Sequence, residues 1–317
     1  MQVILSLITI AAVLLVVVMI AANLTFIERR LLGLWQDRYG PNRVGPFGSL
    51  QLIADMIKIF MKEDWIPPFA DRPVFVIASA IGVTAALMSF VVVPFMKHVE
   101  VVDLNIGVLF FLAFSSLGVY SVALAGWSSD NKYALLGSLR GVAQMLSYEV
   151  FMGLSLMGVV MLAGSFSLPA IVAAQGRIWF VVPQFVGFLI FLIAGVAETR
   201  RLPFDLPEAE SELVAGYHTE YSSLKFGMFF IGEYAGITVI SAFITVLFFG
   251  GWRGPFLPGV VWFFVKTFAF IFLFILLRAT LPRLRYDQLM GLAWKVLLPL
   301  ALLNVLATGA IVVALHQ

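Results

Sequence analysis

The chain has 317 residues, of which 62% are hydrophobic and only 12% charged, with a formal net charge of +2 and no cysteine. So little polar surface could not cover a soluble core of this size, and the mean hydropathy of +1.02 places the chain in the membrane. Without cysteine there is no thiolate-ligated iron–sulfur cluster, disulfide or thiol nucleophile, and His98, His218 and His316 stand too far apart to suggest a haem or metal site.

Eight stretches are long and apolar enough to cross a bilayer, a task that takes about 20 residues of helix. They are 3–26, 74–96, 104–127, 143–165, 178–198, 226–249, 256–278 and 293–315. The first has no basic n-region and no small-residue cleavage site, so it is read as a retained span. The predicted fold is all-α, a single polytopic membrane domain over 1–317, with loops 27–73, 128–142, 199–225 and 279–292 on one side. Those loops and their edges carry fifteen of the lysines and arginines, whereas the alternate loops carry Lys97, Arg177 and Arg253 alone. The basic side is therefore expected to be cytoplasmic, with both termini on the opposite side. Twelve acids share the basic loops. Insertion does not require them, so these loops are expected to form a structured polar surface.

In the first loop, the turn-rich run from Tyr39 to Gly48 precedes Ser49, a candidate helix cap, and Pro67 and Pro68 close the segment. Between them Leu50, Ile53, Ile57 and Phe60 fall on one helical face and Gln51, Asp55, Lys58 and Lys62 on the other. This predicts an amphipathic helix at the membrane surface. It serves either as a simple anchor or as the doorway of a site for an amphipathic ligand or a soluble partner.

After the fifth span, Pro203 stops the helix and Asp205 is placed to cap a short new one, with Glu208 in the capping-box position. Glu198, Asp205, Glu208, Glu210, Glu212 and Glu220 put six acids within 23 residues. In helical register Glu208 and Glu212 would be i,i+4 neighbours whose like charges raise each other's pKa. A solvated acidic loop is the plain alternative, but Tyr217, His218 and Tyr221 among the acids speak for a proton-handling surface.

Charges also fall inside or at the ends of the spans: Glu149, Glu233 and Lys266 inside, Glu28 and Glu198 at the ends. An ionisable group costs several kcal/mol in hydrocarbon and normally faces protein or water. Two uses stand open, a buried pair such as Glu233 with Lys266 or a path for protons. His98 and His316 are expected at the outer surface.

The stretch FIERRLLGLWQDRYGPNRVGPFGSLQLIADMIKIFMKEDWIP (26–67) resembles the first signature of a membrane-subunit family of bacterial NADH-quinone oxidoreductase, its H subunits, the counterpart of mitochondrial complex I subunit 1. RLPFDLPEAESELVAGYHTEYSSLKFGMFFIGEY (201–234) resembles its second. VDLNIGVLFFL, AGWSSDNKYALLGSLRGVAQMLSYEV, LFFGGWRGP and RATLPRLRYDQLM extend the likeness over essentially the whole chain, closest to the proteobacterial form.

The resemblance implies a subunit of a proton-translocating NADH:ubiquinone reductase in the bacterial inner membrane, with both termini periplasmic. It implies no redox centre in this chain, quinone as substrate, and FMN and iron–sulfur clusters in partner subunits of the peripheral arm, alongside other membrane-arm partners. No nucleic acid is expected. A quinone chamber would draw on Glu28, Arg29, Asp55 and Lys58, and a carboxylate path into the membrane on Glu149, Glu198, Asp205, Glu208, Glu210, Glu212, Glu220 and Glu233. The quinone-headgroup Tyr and His of the family belong to a different subunit. Three alternatives remain at this point: the equivalent subunit of a membrane-bound hydrogenase-type complex, a stand-alone proton-coupled transporter, and a structural anchor. The transporter would gather its charges at mid-membrane in paired repeats rather than on one face.

Overall fold

A computed structural model describes the backbone of residues 2–97 and 101–316, and the side chains of 10–97, 101–209 and 212–315. His98 and the side chains of Glu210 and His316 fall outside the described residues. The described residues form twelve α-helices: α1 (Gln2–Trp35), α2 (Gln51–Met61), α3 (Arg72–Ser89), α4 (Gly107–Ser128), α5 (Lys132–Ala163), α6 (Leu168–Ala174), α7 (Phe185–Glu198), α8 (Glu210–Leu213), α9 (Ser223–Phe248), α10 (Gly259–Thr280), α11 (Tyr286–Leu292) and α12 (Leu298–His316).

Seven of these segments are long and apolar enough to span a bilayer, α11 and α12 counting as one through a π-helical turn at Ala293–Leu297. The turn is explained by Pro299, which has no N–H for the carbonyl four residues earlier. The remaining predicted span, 178–198, is helical only as α7, whose 14 residues reach about 21 Å at about 1.5 Å each. Pro183 disfavours helical backbone at Val182, and residues 180–184 form turns instead.

The helix α9 is the axis of the bundle. In its most apolar stretch 83% of the residues are buried, against 17% in α1 and in the last spanning helix. It touches α1, α2, α3, α6, α7 and α10. Its sequence is apolar all round, the pattern of a helix surrounded by other helices. Around it, α3–α4–α5 form one consecutive wall, and α7 and α12 pack on α5.

Two helices run past their predicted spans. The helix α1 continues to Trp35, placing Glu28 and Arg29 on helical backbone near the basic loops. The helix α5 starts at Lys132, not 143, because Asn131 caps it by accepting the Tyr133 N–H (2.9 Å). Much of the predicted loop 128–142 is therefore the first turns of a helix.

The helix α2 forms where it was expected, but Ser49 does not cap it. The cap position is Leu50, and Ser49 instead closes the turn at Pro46–Gly48. The helix ends at Met61, within a residue of the expected end, where the Ser223 hydroxyl donates to the Ile59 and Lys62 carbonyls (2.8 and 2.9 Å). Leu50, Ile53, Ile57 and Phe60 face away from the protein, 47–63% exposed. That is the orientation of a helix lying against lipid.

Candidate functional site

The charged ends of α1, α9 and α10 meet the loop that follows α7. Glu28 on α1 is 3% exposed and its Oε1 accepts from Arg201 Nη1 (3.2 Å) and from Arg278 on α10. The Nε side of Arg201 pairs with Glu233 on α9, and the guanidinium lies 4.4 Å from the centre of the Tyr234 ring. Two acids and two arginines are thus knitted into one buried cluster. Each charge taken out of water has an opposite partner, which is the condition for tolerating it there.

The loop carrying Arg201 is held by α5. Gln144 Nε2 donates to the Ala197 and Phe204 carbonyls (2.7 and 2.8 Å), pinning both sides of the bend. Gly216, at φ +57, sits where an added Cβ would lie 1.7 Å from the Pro207 carbonyl oxygen. Only glycine permits that approach, which folds Tyr217 back over the bend. Tyr217 OH then accepts from Arg200 Nη1 (2.8 Å), and burial pushes the phenol above its usual range against the opposing pull of Arg200.

Three cavities adjoin this cluster. An apolar cleft of about 690 Å³ opens between α1, α2 and α9, lined by Leu52, Met56, Ile59 and Met228 with Arg29 and Asp55 on its wall. A polar chamber of about 830 Å³ is lined by Glu28, Arg201, Glu208, Tyr217, Glu233 and Arg278. An inner cavity of about 630 Å³ between α3, α4, α7 and α9 carries Ser115, Glu198 and Arg200. The cleft and chamber share Arg29, Phe230 and Tyr234, and the chamber and inner cavity share Phe229 and Glu233. The three lie in series, and Arg29 and Glu233 stand at the two junctions.

A second pair of acids has one member, Glu198, on the wall of the inner cavity and the other, Glu149, outside its lining. Glu198 accepts from Ser115 Oγ (2.9 Å) and Glu149 from Ser116 Oγ. Two consecutive residues of α4 thereby hold the two carboxyls near each other. No ion pair reaches either acid among the described residues; the Arg200 guanidinium donates to Tyr217 instead.

The residues expected in a quinone chamber divide. Glu28 belongs to the buried cluster. Arg29 pairs with Asp55 (2.7 Å) on the cleft wall, and Gln51 Nε2 also donates to Asp55 (2.8 Å). Lys58 lines none of the three cavities; its side chain is 75% exposed and its ammonium lies 3.9 Å from Asp55.

The acidic loop divides too, and here two expectations fail. Asp205 caps no helix: its Oδ1 is buried without a hydrogen bond, and α8 begins only at Glu210. Glu208 and Glu212 are not helical neighbours, because Pro207 and the left-handed Ala209 (φ +39) interrupt the register. Glu208 faces the chamber, 3.9 Å from His218 Nδ1. Glu212 turns outward to Arg140 (2.7 Å), whose hydrogen bond holds its carboxyl below the usual range rather than above it. Burial pushes Asp205 up to about 7, Glu208 adding to the shift and Arg283 opposing it. Glu220 accepts from Asn131 Nδ2 (2.6 Å) beside the start of α5, where the helix dipole favours an anion. The Glu210 side chain lies outside the described residues.

Lys266 does not meet Glu233. Its ammonium donates to the Phe249, Gly251 and Arg253 carbonyls (2.7, 3.1 and 2.6 Å) at the far end of α9. It satisfies carbonyls that a helix end leaves open.

Arg201, Arg278 and the serines of α4 were not among the residues singled out from sequence. The signal for Arg201 was its position: a basic pair at the mouth of an apolar span, in a chain with acids inside its spans. Nothing in the spacing of Ser115 and Ser116 distinguishes them from other serines in helices. Among the described residues no group of three or more His, Asp or Glu side chains is arranged to hold a metal ion.

The family model described as NADH dehydrogenase matches residues 8–309. The H subunit of the NADH-quinone oxidoreductase of Methylococcus capsulatus is 64% identical over 300 residues, covering 94% of this chain and 95% of that protein. The chain, a helical membrane bundle matched nearly end to end by this family model and by such a relative, belongs to the family of NADH-quinone oxidoreductase H subunits.

Proposed function

We propose that this chain forms the quinone-access chamber of a proton-translocating NADH:quinone oxidoreductase, and that it passes the electrostatic consequence of quinone reduction into the membrane through carboxylates. The observation that carries the reading is the series of three cavities, apolar, then polar and charge-paired, then acid-lined, with shared residues at each junction. An isoprenoid tail suits the cleft between α1, α2 and α9, and a quinone ring suits a chamber with hydrogen-bond donors and charge.

Reduction of a quinone to a quinol takes up two electrons and two protons. The electrons are proposed to come from a redox centre of a partner subunit; this chain has no thiolate to ligate an iron–sulfur cluster. Negative charge or proton withdrawal in the chamber disturbs the balance of Glu28 and Glu233 against Arg201 and Arg278. In a low-dielectric setting such a change is felt strongly over several ångströms. Glu233, on the wall of both chamber and inner cavity, transmits it towards Glu198 and Glu149. Asp205 and Glu208 are proposed as the proton supply from the aqueous side.

The basic loops are proposed to face the cytoplasm and carry the peripheral-arm subunits, with both termini periplasmic and neighbouring membrane-arm subunits along the exposed helices, in a bacterial inner membrane. The test is Glu233→Gln in the assembled enzyme. Quinone reduction and proton release should fall together while NADH oxidation by a water-soluble artificial acceptor is unchanged. Full quinone turnover with full pumping would remove Glu233 from the path.

A further inference from the structure

The far end of α9 carries a second polar site, which the quinone reading leaves unused. The turn after α9 and the loop between α6 and α7 form an open cleft of about 940 Å³ lined by Gln175, Trp179, Trp252, Arg253, Pro255 and Leu257. It is built rather than incidental. Gln175, 1% exposed, ties the two segments together: its Oε1 accepts from the Phe180 and Gly250 N–H groups (3.2 and 2.9 Å), and its Nε2 donates to the Val246 carbonyl (2.8 Å). The left-handed pair Gly250 and Gly251 (φ +71 and +53) makes the turn, and Lys266 fills its carbonyls from below.

The charge of this cleft is one-sided. Lys266 lies 4.6 Å from the Trp179 ring centre and 5.8 Å from that of Trp262, with three carbonyls as its hydrogen-bond acceptors and no carboxylate. Arg253 has no ion-pair or side-chain hydrogen-bond partner among the described residues, and its Nη1 lies against Gly176, next to exposed Arg177. Segments 166–184 and 249–262 contain no acid at all. In the charge cluster at the other end of α9 both arginines meet a carboxylate. Asp103 comes to the edge of the segment, accepting from Ser167 Oγ (3.4 Å), but forms no ion pair with Arg253 or Lys266, so among the described residues no carboxylate supplies the countercharge here.

The surroundings indicate what carries it. Ile178 and Phe256, 60% and 90% exposed, flank the cleft, and Trp179 and Trp252 line it. Tryptophan with an apolar body and a polar N–H is the side chain of the membrane–water boundary. A free phosphate would use the cations but not this apolar rim; a phospholipid uses both, its phosphate on Arg253 and its chains along Ile178, Val182 and Phe256.

We infer that this cleft binds the phosphate of an anionic phospholipid in the leaflet opposite the charge cluster, with Arg253 as the principal contact. The inference is independent of the quinone reading. To test it, the assembled oxidoreductase is placed in phosphatidylcholine nanodiscs containing a diazirine-bearing phosphatidylglycerol or the same diazirine on phosphatidylcholine, irradiated, and the labelled peptides mapped. Labelling within 176–182 and 252–259 should be about fivefold stronger with the anionic probe. Arg253→Ala should remove the preference and Arg253→Lys retain most of it. Inorganic phosphate, compared with chloride at equal ionic strength, should leave the labelling unchanged. Equal labelling by both probes in the unmutated protein overturns the inference, whether or not the variants assemble. Preference retained in Arg253→Ala, or displacement by inorganic phosphate, overturns it as well.

Discussion

Two groups of carboxyls lie within one bundle, one buried and one half-buried, and they are held in different ways. Glu28 and Glu233 are each gripped by arginine, from Arg201 and Arg278. Among the described residues, Glu149 and Glu198 are held by serine hydroxyls of α4 alone. The first arrangement fixes charge in place, since removing one partner strands another charge in the interior. The second tolerates either form of the carboxyl, because a hydroxyl both donates and accepts. On the proposed reading, the charge-paired group is the chamber wall that keeps its shape while quinone is reduced beside it, and the hydroxyl-held group is the station that exchanges protons.

The contrast is tested most severely at Arg201. Arg201→Ala leaves Glu28 and Glu233 partly uncompensated and should cost about 3–5 kcal/mol, read as loss of assembled complex from membranes or a large fall in melting temperature. Normal assembly and stability in this variant would show that the pairing contributes little.

The acids on α5 and α7 should behave oppositely. Glu149→Gln and Glu198→Gln keep a side-chain acceptor for each serine, so stability should stay within about 0.5 kcal/mol. Proton release coupled to quinone reduction should nevertheless fall roughly tenfold in each, a barrier change of about 1.4 kcal/mol. Lost stability with retained pumping would make the pair structural.

Asp205 sets a pH dependence between these extremes. Its carboxyl rises from 3.8 to about 7 on folding. The folded state therefore holds the proton more tightly than the unfolded one, and the stability this contributes is full below about 3.8 and lost as pH rises through about 7. Asp205→Asn should flatten that part of the stability–pH profile of the detergent-solubilised complex. An unchanged slope would mean that another group titrates there.

The smallest effect belongs to Glu212. Its pair with Arg140 is at the surface, and Glu212→Gln should change stability by less than about 1 kcal/mol and leave quinone turnover intact. A large loss of turnover would place Glu212 in the proton path after all.

Much of the fold was legible from sequence because hydropathy is a local sum. Seven of eight predicted spans correspond to helices of spanning length, and the amphipathic helix α2 lies where the alternation of apolar and charged residues put it. The errors came from local chemistry that a hydropathy count overlooks: Asn131 extending α5, Pro183 shortening α7, and Pro207 with Ala209 breaking the expected helix of acids. The candidate residues were legible as types, acids where apolar sequence should have none, but their surroundings were not. Lys58 and Glu212 look as suggestive in sequence as Glu28 and Glu233.

The sequence by itself determined that this is a helical membrane protein with its charge gathered towards one side, since a bilayer sorts residues by transfer energy one segment at a time. Tertiary structure alone decided which charges answer which. Arg278 reaches Glu28 across 250 positions and Arg201 reaches it across 173, distances over which no periodicity carries information. An ion pair depends on separation in space, and that separation exists only once α1, α9 and α10 have packed together.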